Sequence, residues 1–196
     1  MSAEFPRKAD HPVDPQFLTR WSRRSFTGEA VPVADLLTMF EAARWAPSSL
    51  NLQPWRFLYA VAGTPDFDLF LEQLMPFNQM WAKKAGALIC LVSYSKMEWQ
   101  GQVITSETHG FDAGAAWGSL ALQAHMLGYS SHAMGGFFRD KARVALKVPA
   151  DYELQAFIAV GKPGKVEDLP ADFQPREMPN QRKKLEELAF EGAFSG

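Results

Sequence analysis

The segment RWSRRSF, residues 20–26, alternates Arg20, Ser22 and Arg24. In extended chain alternate side chains point the same way, so two guanidinium groups and a hydroxyl would face one direction. That is a donor array of phosphate size, because arginine's planar fork can give two hydrogen bonds to one phosphate. The same residues also suit a solvated basic loop. A second polar group lies in AARWAPSSLNLQPWRF, residues 42–57, where Pro47 is followed by Ser48, Ser49, Asn51 and Gln53. Proline ends a helical run, and the short polar side chains suit either a capped turn into a strand or the lip of a ligand site. Trp45 and Trp55 flank the turn and are expected to anchor it. In HAMGGFFRD, Gly135 and Gly136 follow a short apolar strand. Paired glycines admit a ligand close to backbone amides, or make a tight strand-to-helix turn.

Several elements must hold these groups in place. Asp14 as N-cap and Pro15 at the first helical position open a short helix in DPQFLTRW, preceded by an arm. Val33, Leu36, Leu37, Phe40 and Ala43 follow the three-and-four spacing of a buried helical face. RFLYAVA, ALICLVSYS and LQAFIAVG read as strands buried on both faces, giving a sheet covered by helices. GFDAGAAWGSLALQAHMLG is the longest helical segment, and Gly110, Gly114 and Gly118 leave one face bare for close packing in a core or at a subunit interface. From Gly161 onward four prolines, Pro163, Pro170, Pro175 and Pro179, precede QRKKLEELAFEG, and this tail is expected to lie outside the compact core.

Composition excludes several classes. The 196 residues are 47% hydrophobic, which suits one globular domain. Twenty basic and 22 acidic residues leave a net charge of −2, so no global field draws nucleic acid or an anionic membrane. The one cysteine, Cys90, sits in an apolar run and reads as a small core hydrophobe, which fits a reducing cytoplasm. The N-terminal residues lack an apolar signal core, and a soluble, unexported protein is expected. His11, His109, His125 and His132 have no metal-ligand spacing, and each reads as a surface or core residue. No Gly-x-Gly-x-x-Gly opens a helix after a strand, so no separate dinucleotide-binding domain is expected.

The quoted motifs together resemble the flavin-dependent nitroreductase family, from about Arg20 to the tail. RWSRRSFTGEAV resembles the family's Arg-x-Ser-x-Arg-x-Phe opening, AARWAPSSLNLQPWRF is similar to its Ala-Pro-Ser-x-x-Asn-x-Gln-Pro-Trp segment, and DYELQAFIAVGKP looks like its closing strand. The resemblance implies an α+β fold, a central, mostly antiparallel sheet flanked by helices. It also implies one FMN-binding domain over residues 1–196, with an N-terminal arm at 1–13 and a C-terminal extension at 162–196 wrapping the partner of a homodimer. Each FMN would be touched by both subunits. By that resemblance Arg20 and Ser22 hold the phosphate and ribityl end, Arg24 the pyrimidine edge, and Arg182 the phosphate. Pro47, Ser48, Ser49 and Asn51 come from the partner subunit, Asn78 in PFNQMW matches an amide that meets the flavin, and Gly135 and Gly136 present backbone donors to its N5 and O4 edge. Some members carry an acidic residue at the position of Gly135 and a lysine at that of Trp81.

The implied activity is hydride transfer from NAD(P)H to an organic acceptor such as a nitroaromatic, a quinone or an activated alkene, by a ping-pong mechanism. A dehalogenase or dehydrogenase of the same family, or a flavin-storing protein without turnover, is the alternative. Trp99, Phe111 and Trp117 are candidates for pocket walls or for the core, and no residue stands out as a general acid.

Overall fold

Asp14 accepts a hydrogen bond from the Gln16 amide at 3.0 Å, and Pro15 at the first position completes the start of α1 (Pro15–Thr19). The structure is a computed structural model that describes residues 7–195. Of the expected arm and tail, residues 1–6 and Gly196 lie outside the described residues. Beyond α1 the order is α2 (Val33–Arg44), β1 (Trp55–Val61), α3 (Pro65–Leu71), α4 (Pro76–Ala82), β2 (Ala87–Tyr94), β3 (Lys96–Trp99) and β4 (Gln102–Thr105). Then come α5 (His109–Met126), β5 (Ser130–Met134), α6 (Arg139–Ala145) and β6 (Tyr152–Gly161).

The main sheet has the order β1-β2-β6-β5, and its three pairings are antiparallel. Every residue of β2 from Ala87 to Ser93 is buried, and alternate residues feed two cores. Leu88, Cys90 and Val92 point to one core with Phe70, Trp81 and Phe157, whereas Ala87, Ile89 and Leu91 point to the other with Leu36, Met39 and Leu120. A strand covered on both sides needs apolar residues at every position, which is why it reads as a continuous run. The expected α+β architecture, a sheet between helices, is the one observed.

Three expectations differ from the structure. Val33 and Leu37 of α2 are 46% and 54% exposed, so only Leu36, Met39 and Ala43 form the buried face of that helix. The first part of the tail is core: Leu169 and Phe173 are 7% and 1% exposed and belong to the cluster around Trp81. Its prolines carry the chain over the sheet in short turns, and two apolar residues are enough to seat it. The β3–β4 hairpin and the seven-residue helices α3, α4 and α6 have no counterpart in the sequence reading.

The segment carrying Arg20, Ser22 and Arg24 leaves α1 in extended conformation and is held by the start of the tail. Thr27 N donates to Lys162 O at 3.1 Å, and Gly164 N donates to Ser25 O at 3.0 Å. A Cβ on Gly164 would lie 2.7 Å from the carbonyl carbon and oxygen of Phe26, a contact only backbone movement relieves. Gly164→Ala is therefore expected to destabilise the fold by about 1–3 kcal/mol. The check is the urea midpoint; an unchanged midpoint means the 24–27 segment yields freely.

Candidate active site

Arg20 ends α1 with extended backbone (φ −71°, ψ 124°), and the alternation read from the sequence is present. Arg20, Ser22 and Arg24 line one cavity of about 450 Å³, together with Arg7, Arg176 and Arg182. Arg23 faces away, its guanidinium 4.5 Å over the Trp21 ring in a neighbouring recess with His125. Among the described residues no carboxylate forms an ion pair with Arg7, Arg20 or Arg182. Burial and the Arg182 charge hold the pKa values of Arg7 and Arg20 below the usual arginine value. A chain of net charge −2 thus gathers uncompensated cations at one point. That arrangement is costly alone and favourable around an anion. Half-buried around a shared cavity, Arg20, Ser22 and Arg24 are more enclosed than the residues of a fully solvated basic loop.

The arginine segment is positioned by Glu177, which the sequence reading did not single out. Its carboxylate, 7% exposed, accepts from Arg24 N at 3.0 Å, Ser25 N at 2.9 Å and Ser25 Oγ at 2.7 Å. Arg24 lies with its guanidinium carbon 6.0 Å from the centre of the Trp81 ring, and its Nε is buried without a partner. Burial lowers the pKa of Arg24, Glu177 opposes that shift, and Arg176 adds to it. His132 also lines the cavity; its Nδ1–H donates to Arg23 O at 2.9 Å and its ring centre is 4.8 Å from that of Trp81. Burial is the largest cause pushing its pKa down to about 4, so the ring is neutral near pH 7.

Asn78 and Gly136 meet directly. Asn78 Nδ2 donates to Gly136 O at 2.9 Å, and a Cβ on Gly136 would come within 2.7 Å of that nitrogen. Gly135 is different: a Cβ there would meet nothing within 4 Å, so its absence keeps open surface above the turn. Asn78 sits on α4, one turn before Trp81, which ties this pair to the arginine cavity.

Pro47, Ser48, Ser49 and Asn51 do not line that cavity in the same chain. Their turn follows α2 and is strained, with Leu50, Asn51 and Gln53 at φ of 49°, 55° and 47°. Left-handed backbone at non-glycine residues persists only where the surroundings impose it, and it collects at functional sites. Here the restraints are Gln53 N to Ser48 Oγ at 3.0 Å and Ser49 N to the buried Asp112 at 3.3 Å. Trp55, 6% exposed, anchors the turn as expected. Trp45 does not: it is 74% exposed, with its Nε1 donating to Glu41 at 2.9 Å.

A nitroreductase family model matches residues 18–66 and 58–162, which span the arginine segment, the strained turn and all six strands. The chain belongs to the nitroreductase family. It is 46% identical, over the full length of both chains and with a TM-score of 0.95, to a crystallised oxidoreductase containing FMN. A Desulfovibrio desulfuricans protein described provisionally as a nitroreductase and solved in complex with FMN is 27% identical, with a TM-score of 0.72 over 95% of this chain and 100% of that one. A Thermus thermophilus NADH dehydrogenase is 29% identical over 82% of this chain and 90% of its own length.

The depressed pKa of His132 makes stability depend on pH. Between an unfolded value near 6.5 and about 4 in the folded state, the unfolded chain binds the extra proton, so stability falls as pH falls through that window. The limit is about 3 kcal/mol. His132→Asn should flatten the slope of unfolding free energy between pH 6.5 and 4, as followed by urea titration. Equal slopes in both proteins would mean that this ring ionises in the fold without cost.

Proposed function

We propose that this chain is an FMN-dependent oxidoreductase that uses NAD(P)H to reduce an organic acceptor, with its site completed in a homodimer. The observation that carries this reading is the cavity in which Arg7, Arg20 and Arg182 converge beside Arg24, the first three without acid partners among the described residues. A phosphate monoester satisfies it, and Arg20, Ser22 and Arg182 would hold that end of FMN. Arg24, whose buried Nε has no partner, would meet the pyrimidine edge. Gly135 and Gly136 would offer backbone to the reactive edge, next to Asn78.

When bound, FMN supplies two-electron chemistry, taking hydride from NAD(P)H and delivering it to a nitroaromatic, a quinone or an activated alkene. Around it the chain's residues set charge and access. A fixed cation at Arg24 favours the reduced, more negative form over the oxidised one. His132, neutral near pH 7, adds no competing charge. The sequence has no separate dinucleotide-binding motif, so donor and acceptor use one face in turn, with ping-pong kinetics.

Dimerisation is supported by surface that this chain leaves uncovered. Cβ atoms on Gly114 and Gly118 of α5 would meet nothing within 4 Å, and Phe111 on the same helix is 81% exposed. Leu37 of α2 and Trp45 just after it, 54% and 74% exposed, are further apolar side chains left uncovered. In the dimer Pro47, Ser48, Ser49 and Asn51 would reach the partner's FMN. The tail beyond Arg182, with Leu185, Leu188 and Phe194 47%, 58% and 82% exposed, would wrap the partner. The single cysteine, Cys90, is buried in the core, which is compatible with a reducing cytoplasm.

The test of this reading is the holoprotein mixed with NAD(P)H without oxygen: bleaching of the flavin supports it, and persistent colour indicates storage. Arg20→Ala should weaken FMN binding by roughly 10–100-fold, the equivalent of a charge-assisted hydrogen bond, and leave riboflavin binding unchanged. Equal losses for both flavins would remove Arg20 from the phosphate. Arg24→Gln should lower the reduction potential. About 4 kcal/mol at an effective dielectric near 20 and about 4 Å bounds the interaction, and at about 30 mV per 1.4 kcal/mol the drop is at most about 90 mV. Dye-equilibrated potentials on both proteins check it, and an equal or higher potential in the variant removes Arg24 from that role.

A further inference from the structure

Three features with no part in the arginine cavity meet at the first turn of α5. The β2–β6 pairing slips between Leu91 opposite Ala156 and Val92 opposite Leu154, which leaves Gln155 as the extra residue of a β-bulge. Bulges re-aim side chains. Here Gln155 Nε2 donates to Ser93 Oγ at 2.8 Å. Ser93 is fully buried on β2, and its Oγ also lies 2.7 Å from Nδ1 of His109, the first residue of α5.

Hydrogen counting sets the tautomer of His109. The fully buried Ser93 hydroxyl accepts from Gln155, and among the described residues its one proton has no other acceptor than His109 Nδ1, so that proton goes to His109 Nδ1. Nδ1 is then an acceptor, and the neutral ring carries its hydrogen on Nε2. Among the described residues Nε2–H has no hydrogen-bond partner, and the side chain is half-buried. One turn further along α5, Asp112 accepts from Ser49 N of the strained turn at 3.3 Å, and Phe111 stands exposed between them. The His109 donor, the exposed ring of Phe111 and the turn therefore share one end of one helix.

We propose that His109 donates from Nε2–H to an oxygen of the electron acceptor, with Ser93 and Gln155 as positioning residues that fix its tautomer. This rests on the reading above that the turn at residues 47–51 borders a flavin. The acceptor class it selects bears an oxygen that gains negative charge as electrons arrive, a quinone carbonyl or a nitro group. A ring N–H held in place by a buried hydroxyl stabilises that charge by hydrogen bonding.

The experiment uses the FMN-loaded protein with menadione as the quinone and ferricyanide as an acceptor that needs no hydrogen bond. In His109→Leu, kcat/KM for menadione should fall at least tenfold, while flavin occupancy, bleaching by NAD(P)H and the ferricyanide rate stay within about twofold. His109→Gln, which keeps a donor near the Nε2 position, should recover most of the loss. Ser93→Ala frees the tautomer and should fall between the two. An unchanged menadione rate in His109→Leu, or a loss that ferricyanide shares, overturns the proposal. Where the leucine variant loses FMN, the glutamine variant decides, since a menadione rate lowered alike in FMN-loaded His109→Gln overturns it too. A wild-type protein whose flavin does not bleach overturns the oxidoreductase reading, and this one with it.

Discussion

The arginine array depends on one carboxylate. Glu177 accepts from two consecutive backbone amides and a hydroxyl of the segment that carries Arg24. A buried anion is tolerable only when its oxygens are fully bonded, and donors from the peptide backbone meet that demand without consuming an arginine. The guanidinium groups are left free to face the cavity. Had Glu177 paired with Arg24 side chain to side chain, the same charge would have cancelled the field it now helps to aim. Phe173 and Leu169 bury the tail that brings Glu177 into place, so apolar packing behind the cavity sets the direction of its cations.

The converging cations carry a cost that the fold accepts. Arg7, Arg20 and Arg182 repel one another, and burial removes the water that would screen them. An anionic ligand removes that repulsion and so stabilises the folded state by mass action as well as by contact. Strain at Leu50, Asn51 and Gln53 follows the same logic on the opposite side of the sheet, where Asp112 on α5 pins the turn. In both places the chain holds an unfavourable local arrangement by means of a buried carboxylate bonded to backbone N–H groups. Asp112 and Glu177 thus have parallel roles, although 65 positions separate them in the sequence.

Periodicity revealed α2, α5 and the strands β1, β2 and β6, because each is long enough for its pattern to repeat or is continuously apolar. The helices α3, α4 and α6 have seven residues each, less than the window over which a 3.6-residue period can be counted. The alternation of Arg20, Ser22 and Arg24 was legible since it is local. Arg7, Arg176 and Glu177 were not, because nothing in RKADHPV or PREMPNQ says that these segments meet the one at residues 20–26. Trp45 was misread for a related reason: a tryptophan at the end of an amphipathic helix looks like an anchor, and only the rotation of α2 against α5 decides that it faces outward. The Gln155 bulge has no sequence signature, since glutamine within an apolar strand resembles any outward-facing polar residue.

The position of β6 between β2 and β5 governs the order in which the molecule can be built. Leu88 pairs with Ala159, so β2 is synthesised long before the strand that fills its edge, whereas β5, whose Ala133 pairs with Ile158, precedes β6 by one short helix. A chain emerging from the ribosome presents β1 and β2 as an apolar two-stranded ribbon with one edge unfilled, and neither core can close. Such long-range pairing is slow, and the unfilled edge is a place where other chains can add. Insertion of β6 ends that exposure, and only then can the tail fold over it to bring Glu177 to Arg24. The arginine cavity is therefore among the last parts of the molecule to form, and its assembly reports that the sheet beneath it is complete.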